Sequence, residues 1–373
     1  MQDGYKISLI IPVYNAQQYL EQTLESVRRQ TIGFENIELL LVDDCSTDQS
    51  GQILERWVAQ YPNVRSLRTE QNSGTPAEPR NVGIEAASAP YLMFLDNDDE
   101  LFPDACKTLY ETAGKTGADL VSGSVRLMHP ELFSKEQRKT LIYGTEQDKT
   151  GFFRKETGRP DWLRPFLNNH WCKIYRRDLV EKYGIRCLKG ELWEDILFLF
   201  QYILHSETFF YMHDPIVLYR VRPESLSHVL DKRFFCSLPR SIECGMAHAL
   251  RYGKAEEYVD LLDYGFSIVE YYVDKLLDAE NLEPQDLKEA LFAWKKTIVF
   301  AARHGAKYHS AYSRILCDDF SDDQDQKAWY HFCELKILYK QRQNEINNIL
   351  NSNTFRLAQR LSGIKEFLRR KKG

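Results

Sequence analysis

Several marks of cofactor and redox chemistry are missing from this chain of 373 residues. No GxGxxG follows its first strand-like run, so a dinucleotide has no glycine turn to lie on, and no GxxxxGK[ST] cradles a triphosphate. Eight cysteines (Cys45, Cys106, Cys172, Cys187, Cys236, Cys244, Cys317 and Cys333) form no CxxC pair and have no histidines at zinc spacing, so they read as reduced thiols. The formal net charge of −5 provides no basic surplus and argues against nucleic acid as a partner. No apolar stretch approaches the roughly 20 residues of a membrane span; even residues 196–204 are interrupted by Gln201. The N-terminus has neither a basic n-region nor an apolar h-region, and a cytoplasmic protein is expected.

What is present is a globular balance, 43% hydrophobic and 28% charged, with length enough for a catalytic domain and a smaller companion. The first part alternates short apolar runs with amphipathic stretches. Strands are expected at 7–13, 39–42, 64–67, 91–95 and 119–124, and helices at 17–30, 49–60, 79–87 and 102–116. That order specifies an α/β fold with a mostly parallel sheet flanked by helices. After Tyr219 the apolar spacing turns helical over 233–251, 256–279, 284–303 and 329–350, which predicts a C-terminal helical region. Residues 144–164 lack periodicity and read as a loop able to order over substrate.

In open α/β sheets ligands bind beyond the carboxyl ends of the strands. Those ends carry Pro12-Val13-Tyr14-Asn15, Asp43-Asp44-Cys45-Ser46 and Asp96-Asn97-Asp98-Asp99. Two of the three are acidic. Carboxylates share a pocket with phosphate most simply through a divalent cation, Mn2+ or Mg2+. The first turn offers a rigid proline and an aromatic face, which suits a flat base.

Five ordered motifs, residues 7–15, 42–48, 72–74, 79–83 and 94–99, resemble the motif set of family 2 glycosyltransferases with the GT-A fold. Residues 42–50 and 72–83 are most similar to bacterial enzymes that glycosylate teichoic acids and other surface polysaccharides. The resemblance covers roughly the first 225 residues. It implies a UDP-sugar donor, with Pro12 and Tyr14 beside the uracil, Asp44 accepting from the base, and Asn72 and Arg80 lining the nucleotide site. It places Asp98 on the metal, with Asp96 and Asn97 beside the ribose or metal waters.

A second centre is Trp193-Glu194-Asp195, ahead of an apolar run. Two first-turn acids can simply stabilise a helix dipole. In the family this resembles, an acidic pair here supplies the base of an inverting transfer, which points to Asp195, with Glu194 on the acceptor side. Trp171, Lys173, Arg220 and Arg222 resemble acceptor-side residues that stack on sugar or reach phosphate. His170 is read as a structural histidine. The expected acceptor is a glycan or lipid-linked hydroxyl. The rival readings are a sugar nucleotidyltransferase, which needs a basic glycine loop after the first strand, and a non-catalytic glycan-binding subunit of the same fold.

The expected organisation is a catalytic domain at 1–228, a helical appendage at 229–330 and terminal helices at 331–373. Within 355–373, Leu357, Leu361, Ile364 and Leu368 share one helical face, and Arg356, Arg360, Lys365, Arg369, Arg370, Lys371 and Lys372 surround them. Such a helix suits an anionic leaflet, making the protein peripheral at the inner face of the cell membrane, or packs on its own domain or a second subunit of a homo-oligomer. On the membrane reading, deleting residues 355–373 should abolish co-sedimentation with anionic vesicles; unchanged binding would leave the packing reading.

Overall fold

The computed structural model describes residues 4–129, 131, 150–155, 166, 170–221, 231–258, 261, 286, 289–290 and 292–294. The apolar runs become a sheet because strands covered on both faces need no polar alternation. β1 (Ile7–Val13) and β2 (Ile37–Asp43) are buried along their whole length. They lie parallel to each other and to β3 (Val64–Arg68) and β4 (Tyr91–Phe94). The connecting helices are α1 (Leu20–Arg28), α2 (Ser50–Gln60) and α3 (Ala77–Ala86). Each predicted element of this half is found, with ends displaced by a few residues.

Beyond β4 come β5 (Glu100–Leu101), α4 (Ala105–Thr116), β6 (Leu120–Leu127), β7 (Gly151–Arg154) and β8 (Lys173–Arg176). The chain continues through α5 (Arg177–Lys182), α6 (Glu194–His205), β9 (Thr208–Tyr219) and α7 (Lys232–Arg251). The sheet order is β3-β2-β1-β4-β8-β6-β9-β5, with β7 paired to β9. Most paired residues lie in parallel ladders, while β8 runs antiparallel between β4 and β6. This is the GT-A architecture. The expected lid at 144–164 is in part sheet, since Gly151–Arg154 pairs antiparallel with Thr208 to Tyr211; residues 144–149 and 156–164 lie outside the described residues.

Alternation of side chains sorts the strands onto two cores. Leu9, Ile11, Leu39, Leu41 and Met93 face α1, α2 and α4, while Ile10, Leu40, Leu92 and Phe94 face α3 and α6. Phe235, Leu238, Ile242 and Met246 of α7 join that second core. The expected boundary at 228 falls at 222–230, outside the described residues, but the helix that follows it is packed on the catalytic half. Most of the predicted helices at 256–279, 284–303 and 329–350, and all of the basic tail, likewise lie outside the described residues.

The approach of α3 to β1 fixes where the residues of α3 point. Gly83 lies against Ile10, and a Cβ there would overlap Ile10 Cγ2. Gly83→Val should therefore destabilise the protein by about 2 kcal/mol, since overpacking outweighs the small gain in helix propensity. Chemical denaturation checks this; an unchanged midpoint would mean that α3 can slide on the sheet.

Candidate active site

Because β1, β2 and β4 are parallel, their carboxyl ends open on one edge. The turns after β1 and β2 are tied to each other. Asn15 Oδ1 accepts from Thr47 N at 2.8 Å, Ala16 N donates to Ser50 Oγ at 2.8 Å, and Gln17 N donates to Asp48 Oδ2 at 3.1 Å. Asn15 and Cys45 take left-handed backbone, φ 46° and 61°, which turns each chain sharply at the strand end. Tyr14 is left 47% exposed at this rim, available for stacking. Pro12 is buried within β1, opposite Val42. Its missing N–H has no counterpart, because the β1–β4 ladder ends at Ile10 and Phe94, two residues earlier.

Asp44 is buried, and its carboxylate accepts from Thr69 Oγ1 at 2.8 Å, Ser73 N at 3.0 Å and Ser73 Oγ at 2.9 Å. Asn72 Nδ2 donates to the Asp44 carbonyl at 3.1 Å, and Asn72 Oδ1 accepts from Gly74 N at 3.0 Å. The pair thus shapes the 69–75 loop that follows β3. Thr69 and Ser73 were not singled out from the sequence, although Ser73 lies inside the Asn72-Ser73-Gly74 motif.

The acidic run begins immediately beyond β4. Thr23 Oγ1 donates to the Asn97 carbonyl at 3.1 Å. Arg220 braces the other end: its N donates to Asp99 Oδ1 at 2.8 Å and its Nε to the Asp98 carbonyl at 2.9 Å. The same side chain reaches Gln22 and Glu100 and lies over the Tyr19 ring. Arg220, expected on the acceptor side, therefore holds the acidic run; Arg222 lies outside the described residues. Burial, with Asp98 and Asp96 adding to it, raises the Asp99 carboxyl well above its ordinary range.

The two acidic centres meet at Arg80. This side chain of α3 is 3% exposed and donates through Nη2 to Asp96 Oδ1 at 2.7 Å and through Nη1 to Glu194 Oε1. Burial works against its charge, yet Asp96 and Glu194 keep the guanidinium above its ordinary range. Glu194 and Asp195 open α6, as first-turn acids, and Asp195 Oδ1 accepts from Ile196 N at 2.8 Å. The first-turn reading of the pair is thus met. Burial first and then Asp195 push the Glu194 carboxyl up to about 8, against the pull of Arg80. For Asp195 burial is outweighed by His170 and Arg80, which hold it below the usual carboxylate range. Its side chain is 26% exposed, the more accessible of the two.

Lys173 is buried in β8, and burial lowers its ammonium while Cys172 and Asp195 pull the other way. Trp171 is also buried, with Tyr219 stacked on it at 5.4 Å. It supports the floor of the site through packing and presents little open face for a sugar.

Among the described residues no three His, Cys, Asp or Glu side chains converge as a complete metal cage. The donors suit a hard divalent cation all the same. They are carboxylates only, Arg80 is shared by Asp96 and Glu194, and buried Asp99 Oδ2 has no hydrogen-bond partner among the described residues. A cation held through Asp98 would complete its shell with phosphate oxygens and water.

Comparison with known proteins agrees with this geometry. The family model described as glycosyl transferase family 2 matches residues 8–184. The chain is 32% identical over 263 residues to the putative glycosyltransferase EpsH of Bacillus subtilis, covering 69% of this chain and 73% of that protein. The chain belongs to glycosyltransferase family 2. It is also 30% identical over 243 residues to the minor teichoic acid biosynthesis protein GgaA of Bacillus subtilis, covering 61% of this chain and 50% of GgaA. It spans 44% of the length of the glycosyltransferase GlyA of Streptococcus pneumoniae, at 28% identity. Residues 1–349 of TarS from Staphylococcus aureus, solved with UDP-GlcNAc, superpose with a TM-score of 0.67 at 20% identity, covering 89% of this chain and 88% of that one. That likeness establishes the GT-A fold for this family 2 enzyme.

Removing Arg80 strips Asp96 and Glu194 of their shared partner. Arg80→Met should cost about 3–5 kcal/mol at pH 7, the range for breaking a buried ion pair from one side. A carboxyl raised in the folded state, as Glu194 already is, penalises folding above its unfolded value near 4.3 and not below it. The deficit of the variant should accordingly shrink as pH falls from about 8 toward 4. Urea unfolding at several pH values measures it; a deficit independent of pH would mean that the carboxylates are not what Arg80 holds.

Proposed function

We propose that this family 2 enzyme is an inverting transferase that moves a sugar from a UDP-sugar to a hydroxyl of a bacterial cell-surface glycan, a polysaccharide repeat unit or a teichoic acid. The observation that carries the reading is the buried Arg80, which joins the acidic run after β4 to Glu194 at the start of α6. That link sets a leaving-group side and a base side next to each other across one guanidinium. The exposed Tyr14 at the rim supports a stacked uracil, with the Asp44, Asn72 and Ser73 loop beside it.

Asp195 is the general base. It is more exposed than Glu194, it is held as a carboxylate, and it does not share its oxygens with Arg80 by hydrogen bonding among the described contacts. The acceptor hydroxyl gives its proton to Asp195 as its oxygen forms the new bond to the anomeric carbon. On the opposite face the bond from that carbon to the diphosphate oxygen breaks, and its electron pair leaves with UDP. Asp98 would hold Mn2+ or Mg2+, whose charge offsets that of the leaving diphosphate. Arg80 keeps Asp96 and Glu194 fixed so that neither competes for the acceptor proton. The relative GgaA, named for teichoic acid biosynthesis, supports a cell-surface glycan as acceptor, and the basic 355–373 segment would bring the enzyme to the inner face of the membrane.

The test is UDP release from a panel of nucleotide sugars, with and without Mn2+ or Mg2+. Transfer should require the cation, and Asp98→Ala and Asp195→Asn should each lose on the order of 10²–10⁴-fold in rate. Full transfer by Asp195→Asn would remove it as the base; full transfer in the presence of a chelator would remove the metal.

A further inference from the structure

His170 is a buried titratable side chain to which the mechanism above gives no task. Only 1% of it is exposed, and among the described residues neither ring nitrogen has a hydrogen-bond partner. Its ring packs on Phe94 with centroids 5.1 Å apart, and its carbonyl accepts from Tyr175 OH at 2.6 Å, so the backbone that carries it is fixed. A phenylalanine would fill the same space without leaving two buried polar atoms unsatisfied. The imidazole is therefore poorly explained by packing.

Among the described residues it pairs most closely with Asp195, whose Oδ2 lies 3.8 Å from His170 Nδ1. That is longer than a hydrogen bond and short enough for a directed contact between an N–H dipole and a carboxylate. Resting on the reading of Asp195 as base, we infer that His170 is a positioning residue for it: with hydrogen on Nδ1, its imidazole aims an N–H at the carboxylate and holds it ionised and oriented toward the acceptor hydroxyl.

The surroundings fit that task. Arg80 from α3 directs its terminal nitrogens at Asp96 and Glu194 and acts on Asp195 through its charge. The charged groups around His170 are Arg80, Asp96 beyond β4 and the Glu194-Asp195 pair at the start of α6; Lys173 of β8 also feels Asp195. Burial first, then Arg80, push the imidazole below its ordinary range, against Asp195 and Asp96, which favours its neutral form. A neutral donor is what the step requires. It stabilises the carboxylate without surrendering a proton to it, so Asp195 stays free to take the proton of the acceptor.

The test compares His170→Phe, which keeps the ring and removes the donor, with His170→Asn, whose amide restores an N–H near the position of Nδ1. His170→Leu is a second donor-free variant if the Phe variant does not fold. UDP release is followed against pH at saturating donor, with donor KM and thermal midpoint recorded. The donor-free variants should lose about 10–100-fold in kcat, as for loss of an orienting partner, with donor KM within about twofold of wild type. Without the N–H the Asp195 carboxyl rises, so the acidic limb of kcat should move to higher pH by about one unit, and His170→Asn should recover most of both effects. An unshifted limb with wild-type kcat in His170→Phe, or equal loss in the Asn and Phe variants, would overturn the role of His170. Full transfer by Asp195→Asn would instead remove the base itself, so the two failures are told apart.

Discussion

One guanidinium, buried where α3 meets the carboxyl edge of the sheet, sets the arrangement of this site. Arg80 is 3% exposed and binds Asp96 on one side and Glu194 on the other, residues separated by nearly a hundred positions in the chain. Taking an arginine out of water is unfavourable unless its donors meet acceptors, and here two carboxyl groups supply them. The same contact joins the strand-end acids to the first turn of α6. Everything upstream that places α3, including the close approach of Gly83 to Ile10, contributes indirectly to where the carboxylates stand.

The frame around that contact is built from backbone geometry and short polar ties. Parallel strands bring three turns to one edge, and Asn15 and Cys45 bend sharply enough to leave Tyr14 at the rim. Asp44, Asn72 and Ser73 then fix the loop after β3, and Arg220, returning from the end of β9, braces Asp98 and Asp99. The described helix of the helical region, α7, is part of the same body, since it shares its apolar face with α6. Arg233 at the start of α7 also donates to the carbonyls of Gly74 and Gly190, so the described part of that region touches the loop after β3.

Much of this was legible in the residues because the signals are local. Unbroken apolar runs such as 7–13 and 91–95 are what doubly covered strands require, and the acids at their ends mark the working edge. Antiparallel β8 and the short β5 left no such mark: Lys173–Arg176 is four residues of mixed character, and its place between β4 and β6 depends on long-range pairing. The roles of Trp171 and Arg220 were obscured for a related reason. An aromatic ring or a guanidinium suits a ligand and a core equally, and only the partners decide; Tyr219 stacks on the first, and the acidic run engages the second. His170 read as structural because a lone histidine usually is, and the absence of partners that makes it unusual is visible only in three dimensions.

The behaviour of the adjacent pair Glu194 and Asp195 shows how one turn of helix can separate two like groups. Successive residues of an α-helix point about 100° apart. At the start of α6 this sends Glu194 inward to Arg80, while Asp195 stays 26% exposed, with His170 3.8 Å behind it. Burial and the neighbouring charge raise the first carboxyl, whereas for the second His170 and Arg80 outweigh burial and lower it. Two identical chemical groups, one residue apart, thus come to differ in protonation, accessibility and neighbours. The reachable member remains a carboxylate at neutral pH. A base must combine that charge with access to an incoming hydroxyl, and of the two acids Asp195 has both.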